Sequence, residues 1–240
     1  MKQYVRNYEV IAPFDPPKQR PSGDSASPKS LIFHLLEDNQ APTNVLDIGF
    51  GAGTLGTLIR NNPATAHWHV DGIEGFEPNC QNQDLFHRKI YRNVWHSLAQ
   101  DVPMERIRDY RILCLLDVIE HLDLETAKWL VRYLLTCMAD DAYLFLSTPL
   151  WFYPQDNMQE GDLEEHLIGV PASSMMSLLP THYSVNHPLV GGFAFAKRSL
   201  DYVGFFQPTS NKAFSYDQGM RLARAVGMVV DLGVLVRTAF

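Results

Sequence analysis

Several short clusters in this 240-residue chain carry side chains suited to chemistry. The first is Asp47-Ile48-Gly49-Phe50-Gly51-Ala52-Gly53-Thr54-Leu55-Gly56, where a short apolar run ends in glycines. Gly51, Gly53 and Gly56 satisfy the G-x-G-x-x-G spacing of dinucleotide sites, and Glu74 follows at the distance of a ribose-binding acid. Asp47 argues against a pyrophosphate there. A carboxylate beside the loop and the next helix N-terminus opposes phosphate and favours a ligand bearing a cationic amino group. S-adenosylmethionine (SAM) has an ammonium, a sulfonium and a ribose, and no phosphate. The glycines let the backbone approach such a ligand closely. An ionised Glu74 can accept both ribose hydroxyls, whereas strand alternation puts the competing Asp71 inside its strand.

A second cluster is Leu116-Asp117-Val118-Ile119-Glu120-His121-Leu122. A third is Gly161-Asp162-Leu163-Glu164-Glu165-His166, shortly after Trp151-Phe152-Tyr153. A histidine poised near neutrality suits proton removal from an acceptor, and His121, His166, His182 and His187 are the candidates. His166 is preferred as the base, with Glu164 and Glu165 beside it. Glu120 and His121 can equally be a helix start that complements the dipole, and the three aromatics can be an acceptor floor or core.

These residues need elements to position them. Residues 44–48 read as a buried strand closed by glycines, and 54–61 as a helix halted by Pro63. Strands follow at 67–73, 92–97, 111–118 and 142–147, with helices at 29–39, 77–89 and 124–138. That alternation predicts a doubly wound α/β sheet with helices on both faces. Beyond Pro149 the pattern loosens into a short helix within 171–180 and a hairpin at 183–188 and 193–197. A helix at 216–226 and a final strand at 229–236 close the chain. Residues 1–28, rich in proline, read as an arm, extended or partly ordered, and 29–240 as the domain. Within it, about 29–150 is the cofactor half and about 150–240 the acceptor side.

The ordered set Val45-Leu46-Asp47-Ile48-Gly49-Phe50-Gly51-Ala52-Gly53, Gly72-Ile73-Glu74 and Leu116-Asp117-Val118-Ile119-Glu120-His121-Leu122 resembles the class I SAM-dependent methyltransferases. The resemblance implies a Rossmann-like seven-stranded sheet whose last strand is antiparallel, with SAM across the carboxyl ends of the first strands. It implies cofactor contacts from Asp47, Gly49, Gly51, Gly53 and Glu74, with Asp117 facing the methionine part. The family's acid after the third strand is missing, since Leu98 stands near that slot. Either Leu98 packs on the adenine or Asp101 substitutes.

Methyl transfer from a sulfonium is an in-line displacement with a neutral leaving group, so positioning and water exclusion do much of the work. The expected acceptor is an oxygen or nitrogen of a small metabolite or of a sugar- or lipid-linked intermediate, with His166 or His121 as base and no metal ligand. One alternative resembles the small-RNA 2′-O-methyltransferases, whose Glu-x-x-Glu-His segment and distant histidine bind a divalent metal. Asp117, Glu120 and His121, with His166 or His182, would match it. Another alternative is a SAM-binding module without catalysis.

Composition narrows the field. A net charge of −7 weighs against partners that are nucleic-acid phosphates or an anionic membrane. At 46% hydrophobic and 20% charged, the chain is an ordinary globular sequence. No apolar run approaches the roughly 20 residues of a membrane span, and the amino terminus lacks the apolar stretch of a signal peptide. Cys80, Cys114 and Cys137 suit neither a disulfide framework nor a zinc knuckle, so a cytoplasmic protein is expected.

Overall fold

The computed structural model describes residues 43–186 and 190–197. The arm, the helices at 29–39 and 216–226, the strand at 229–236 and His187 lie outside the described residues. Within them the chain runs β1 (Asn44–Ile48), α1 (Thr54–Asn61), β2 (His69–Glu74), α2 (Glu77–Cys80), α3 (Gln83–His87) and β3 (Asn93–His96). It continues through α4 (Met104–Ile107), β4 (Ile112–Leu116), α5 (Leu124–Cys137), β5 (Tyr143–Pro149), α6 (Ala172–Met176), β6 (His182–Asn186) and β7 (Val190–Ala196).

The strands form one sheet in the order β3-β2-β1-β4-β5-β7-β6. Strands β1 to β5 pair in parallel, and β7 is antiparallel to both β5 and β6. This is the seven-stranded, Rossmann-like sheet with an antiparallel last strand that the sequence implied. The seventh strand comes from the expected hairpin, which joins the sheet through β5. Gly191 and Gly192 lie within β7 rather than at a turn, opposite Thr148 and Ser147.

Strand alternation divides the apolar side chains between two faces. Leu46, Ile48, Leu113, Leu115, Leu144 and Leu146 pack with α5 on one side. Val45, Val70, Ile112, Cys114 and Phe145 pack with α1 and Tyr91 on the other. α5 shows why these residues make a helix. Asp123 caps it by accepting the Glu125 and Thr126 N–H groups, and Ala127, Leu130, Val131, Leu134 and Leu135 line its buried stripe. The expected helix over 77–89 is instead two short ones. Asn82 takes the Asp84 N–H and starts a second helix, the local competition that asparagine side chains offer.

The chain leaves β1 towards β2 on one side and reaches β4 on the other. A crevice therefore opens at the carboxyl ends of β1 and β4, where ligands of such sheets bind. All three chemical clusters converge on that edge.

Candidate active site

The glycine loop is held in place from several sides. Gly49 and Gly51 have φ of 72° and 54°, in the left-handed region that favours glycine. The loop glycines do different jobs. A Cβ at Gly49 would lie 2.5 Å from Val118 Cγ2, and one at Gly53 2.6 Å from Leu85 Cδ2. Gly56 and Gly72 make room for Tyr91 and Phe50. Around Gly51 alone of the loop there is open space, with nothing within 4 Å of the Cβ position. Internal packing adds to the left-handed backbone at Gly49 and Gly53, whereas at Gly51 the backbone alone asks for glycine and its Cβ position faces open space.

Glu74 is 7% exposed and closes the cradle. Its Oε2 accepts the Gly51 N–H at 2.7 Å and its Oε1 the Phe76 N–H at 2.8 Å. The carboxylate thus fixes the loop tip to the end of β2, and each oxygen keeps a second lone pair for a ribose hydroxyl. Open space over Gly51 beside a carboxyl group that can accept hydrogen bonds fits a ribose-bearing ligand. Among the described residues no lysine or arginine bonds to this cradle.

Asp47 lies beneath the loop, 2% exposed. Tyr91 donates its hydroxyl to Asp47 Oδ2 at 2.8 Å. Burial and the neighbouring Asp47 charge push the Tyr91 hydroxyl well up, and do the same to the Cys114 thiol. Tyr91 was not legible in the sequence, since it is a single aromatic between a helix and a strand. Asp71 is internal, as alternation implied. Burial would raise its carboxyl, but hydrogen bonds from Arg92, Tyr110 and Asn93 hold it lower. Leu98, 39% exposed, opens a 3-10 turn after β3, and its Cδ2 would lie 3.0 Å from a Cβ at Gly75. Asp101 ends that turn and is exposed.

Asp117 directly follows β4 with φ of 56°, an uncommon conformation for a residue with a side chain. The Ser147 hydroxyl donates to its Oδ1 at 2.7 Å. One turn further on, Glu120 is 2% exposed, and its Oε2 has no hydrogen-bond partner among the described residues. Burial, reinforced by Asp117, pushes this carboxyl well up.

His121 and His166 meet here although 45 positions separate them. Their ring centroids are 4.7 Å apart in an edge-on arrangement. Each Nδ1 lies against a backbone carbonyl, His121 against Glu165 at 3.0 Å and His166 against Tyr153 at 2.7 Å. A carbonyl only accepts, so in these two contacts Nδ1 is the donor, the arrangement that in a neutral ring puts the lone pair on Nε2. Burial pushes both imidazoles below their usual value. One ligating atom from each of Glu120, His121 and His166 falls within a 4.8 Å cluster. These three residues are a candidate metal-ligand set, and all three belong to the metal-binding alternative of the sequence reading, which has Asp117 beside them and leaves His166 and His182 as options for the last ligand.

The segment carrying His166 is a strap built from side-chain bonds. Buried Asp162 accepts the Met158 and Gln159 N–H groups at 2.9 and 2.8 Å. Gln155 Nε2 donates to the Glu164 carbonyl at 2.7 Å, and the Leu167 N–H reaches the Glu120 carbonyl at 2.8 Å. The Tyr153 ring lies 6.0 Å from that of His166, and Trp151 packs edge-on against Tyr153 at 5.4 Å. His182 is different. Its register on β6, opposite Ala194 and level with Phe145, keeps it away from the carboxyl edge.

The sheet order, the crevice and its glycine cradle together define a SAM-dependent methyltransferase. Residues 24–183 match the family model described as a methyltransferase domain, and the chain belongs to that family. Solved structures agree on the fold. It is similar to the PH0226 protein of Pyrococcus horikoshii OT3 at 10% identity, with a TM-score of 0.56 over 82% of this chain and 99% of that one. Magnesium protoporphyrin IX methyltransferase of Synechocystis PCC 6803, with S-adenosylhomocysteine (SAH) bound, gives 15% identity and 0.53 over 80% and 93%. The small RNA methyltransferase HEN1 gives 14% and 0.56 over 75% of this chain but 27% of that one. With HEN1 among the neighbours, the comparisons give no support to the sequence expectation that excluded nucleic acid. No curated protein sequence matches the chain. Among the described residues no helix is long and apolar enough to cross a membrane.

Proposed function

We propose that the chain transfers the SAM methyl group to an oxygen or nitrogen of a small metabolite or of a sugar- or lipid-linked acceptor. The acceptor lies beside His166 and His121. The observation that carries this reading is the meeting of two imidazoles whose Nδ1 protons are both committed to carbonyls. SAM, when bound, supplies a methyl on a cationic sulfur whose departure as a thioether needs no acid. Gly51 presents bare backbone to the cofactor, and Glu74 accepts its ribose hydroxyls. Asp47 acts from beneath through its charge, with the loop backbone at Gly49 and Gly53 shaping the amino-acid end. Leu98 packs towards the adenine, and Asp117 borders the methionine part. Nε2 of His166 takes the acceptor proton, with His121 packed against it.

Transfer of labelled methyl from SAM into a fractionated extract identifies the acceptor. On that acceptor, His166→Gln lowers turnover on the order of 100-fold while SAH affinity is kept. Undiminished turnover removes the base assignment.

A second reading is favoured by the orphaned Glu120 Oε2 beside two imidazoles backed by carbonyls. That donor set suits a divalent cation of the magnesium or manganese type, with the carbonyls orienting the rings. It accords with an RNA 2′-O-methyltransferase. Under the first reading activity survives a chelator. Under the second it is lost, returns with manganese, and short RNA is retarded in a gel at moderate salt.

A further inference from the structure

Gly75 follows Glu74, so it is the next surface outward from the ribose acceptor. It forms a notch. A Cβ there would lie 2.6 Å from Leu163 Cδ1 and 3.0 Å from Leu98 Cδ2, so glycine admits two leucines from distant segments. Leu163 belongs to the strap after β5 and Leu98 to the turn after β3. Both remain substantially exposed, Leu163 at 49% and Leu98 at 39%, although each packs on the end of β2. The Ser97 N–H donates to the Glu74 carbonyl at 2.9 Å, which keeps Leu98 at this point.

Exposed apolar groups beside a ribose-binding carboxylate suit a flat, uncharged aromatic face. The adenine is the part of the cofactor joined directly to the ribose. Resting on the methyltransferase reading, we propose that Leu163 is a cofactor-contact residue. With Leu98 it forms an apolar wall for the adenine, so that cofactor occupancy positions the strap bearing His166. Only Glu164 and Glu165 separate Leu163 from His166, and the bonds from Asp162, Gln155 and Glu120 make the strap between them one unit. A cofactor that presses on Leu163 therefore sets the imidazole at the acceptor site. SAM binds first, and the acceptor meets a strap already ordered.

The test is SAH calorimetry with hydrogen–deuterium exchange on the full chain, using wild type, Leu163→Ala and Leu163→Met. The exposed side chain makes both variants foldable, and circular dichroism checks this. SAH should slow exchange across residues 155–168 in wild type. Leu163→Ala should weaken SAH about tenfold and abolish that protection, and Leu163→Met should restore both. Gly75→Ala, which forces the leucines apart, should also weaken SAH. Unchanged SAH affinity in Leu163→Ala overturns the proposal. Tighter binding also overturns it, because Leu163 would then occupy the adenine's place. Failure of wild type to bind SAH would instead strike the methyltransferase reading itself, so the two failures are distinct.

Discussion

The glycine cradle and the acceptor strap face each other across one crevice and are held by different forces. The cradle sits where parallel strands end, and its backbone is bonded to the sheet. Gly49 N–H reaches the Ile73 carbonyl at 2.8 Å, and Glu74 draws in Gly51. The strap has almost no regular structure between Trp151 and Val170. Its shape comes from Asp162, Gln155 and Asn157 side chains taking up backbone groups. The cradle is thus tied to the sheet, and the strap to its own loop side chains.

Several substitutions sharpen or break that separation. The largest effect is expected for Glu74→Ala, which removes the proposed ribose acceptor and two loop bonds. SAH affinity should fall at least tenfold, on a scale of roughly 1.5–3 kcal/mol for hydrogen bonds to a charged group. Turnover at saturating SAM should change far less. Equal SAH titrations in variant and wild type would detach Glu74 from the cofactor.

Tyr91→Phe keeps the ring that fills the space left by Gly56 and Gly72, but removes the hydrogen bond from its hydroxyl to buried Asp47. A loss of about 1–3 kcal/mol in stability is expected by urea titration, with SAH binding retained after correction for unfolded protein. An unchanged midpoint would show that the hydroxyl is dispensable. Asp162→Ala should act on the other side of the crevice. It should raise the KM for acceptor and speed hydrogen exchange over residues 155–168, with a smaller change in global stability. A variant with wild-type exchange would show the strap is held by other means.

The smallest effect is a pH dependence of stability from Asp71. Its folded carboxyl lies below the ordinary value of 3.8, held down by Arg92, Tyr110 and Asn93 against the opposing effect of burial. A lowered folded value means the unfolded chain binds protons more readily. The contribution is therefore complete above the unfolded value and is lost as pH falls through the folded one. Denaturation midpoints for wild type should drop more below pH 4 than those of Asp71→Asn. Parallel pH curves would contradict this.

Much of the cradle was legible in the sequence because local rules govern it. β1 and α1 fall where the apolar run and the glycines put them, and Glu74 ends β2 as expected. Asp71 is internal because strand side chains alternate. Tyr91 was invisible, since nothing in its neighbours announces a bond to a residue 44 positions earlier. The strap shows the same limit. His121 and His166 were each candidates, but their meeting depends on carbonyls of Glu165 and Tyr153, which leave no trace in residue type. The same holds for Leu163, where the informative residue is the glycine at 75. Helix 77–89 failed for a local reason, because Asn82 offers a cap in mid-run.

Titrating SAM, SAH and NADH separately into the wild-type chain and into Gly51→Asp tests the cradle most directly. The account predicts one site for SAM and SAH in wild type, no heat with NADH, and loss of both ligands once a side chain fills the space above Gly51. Binding of NADH without SAM, or undisturbed SAM binding in the variant, would contradict it.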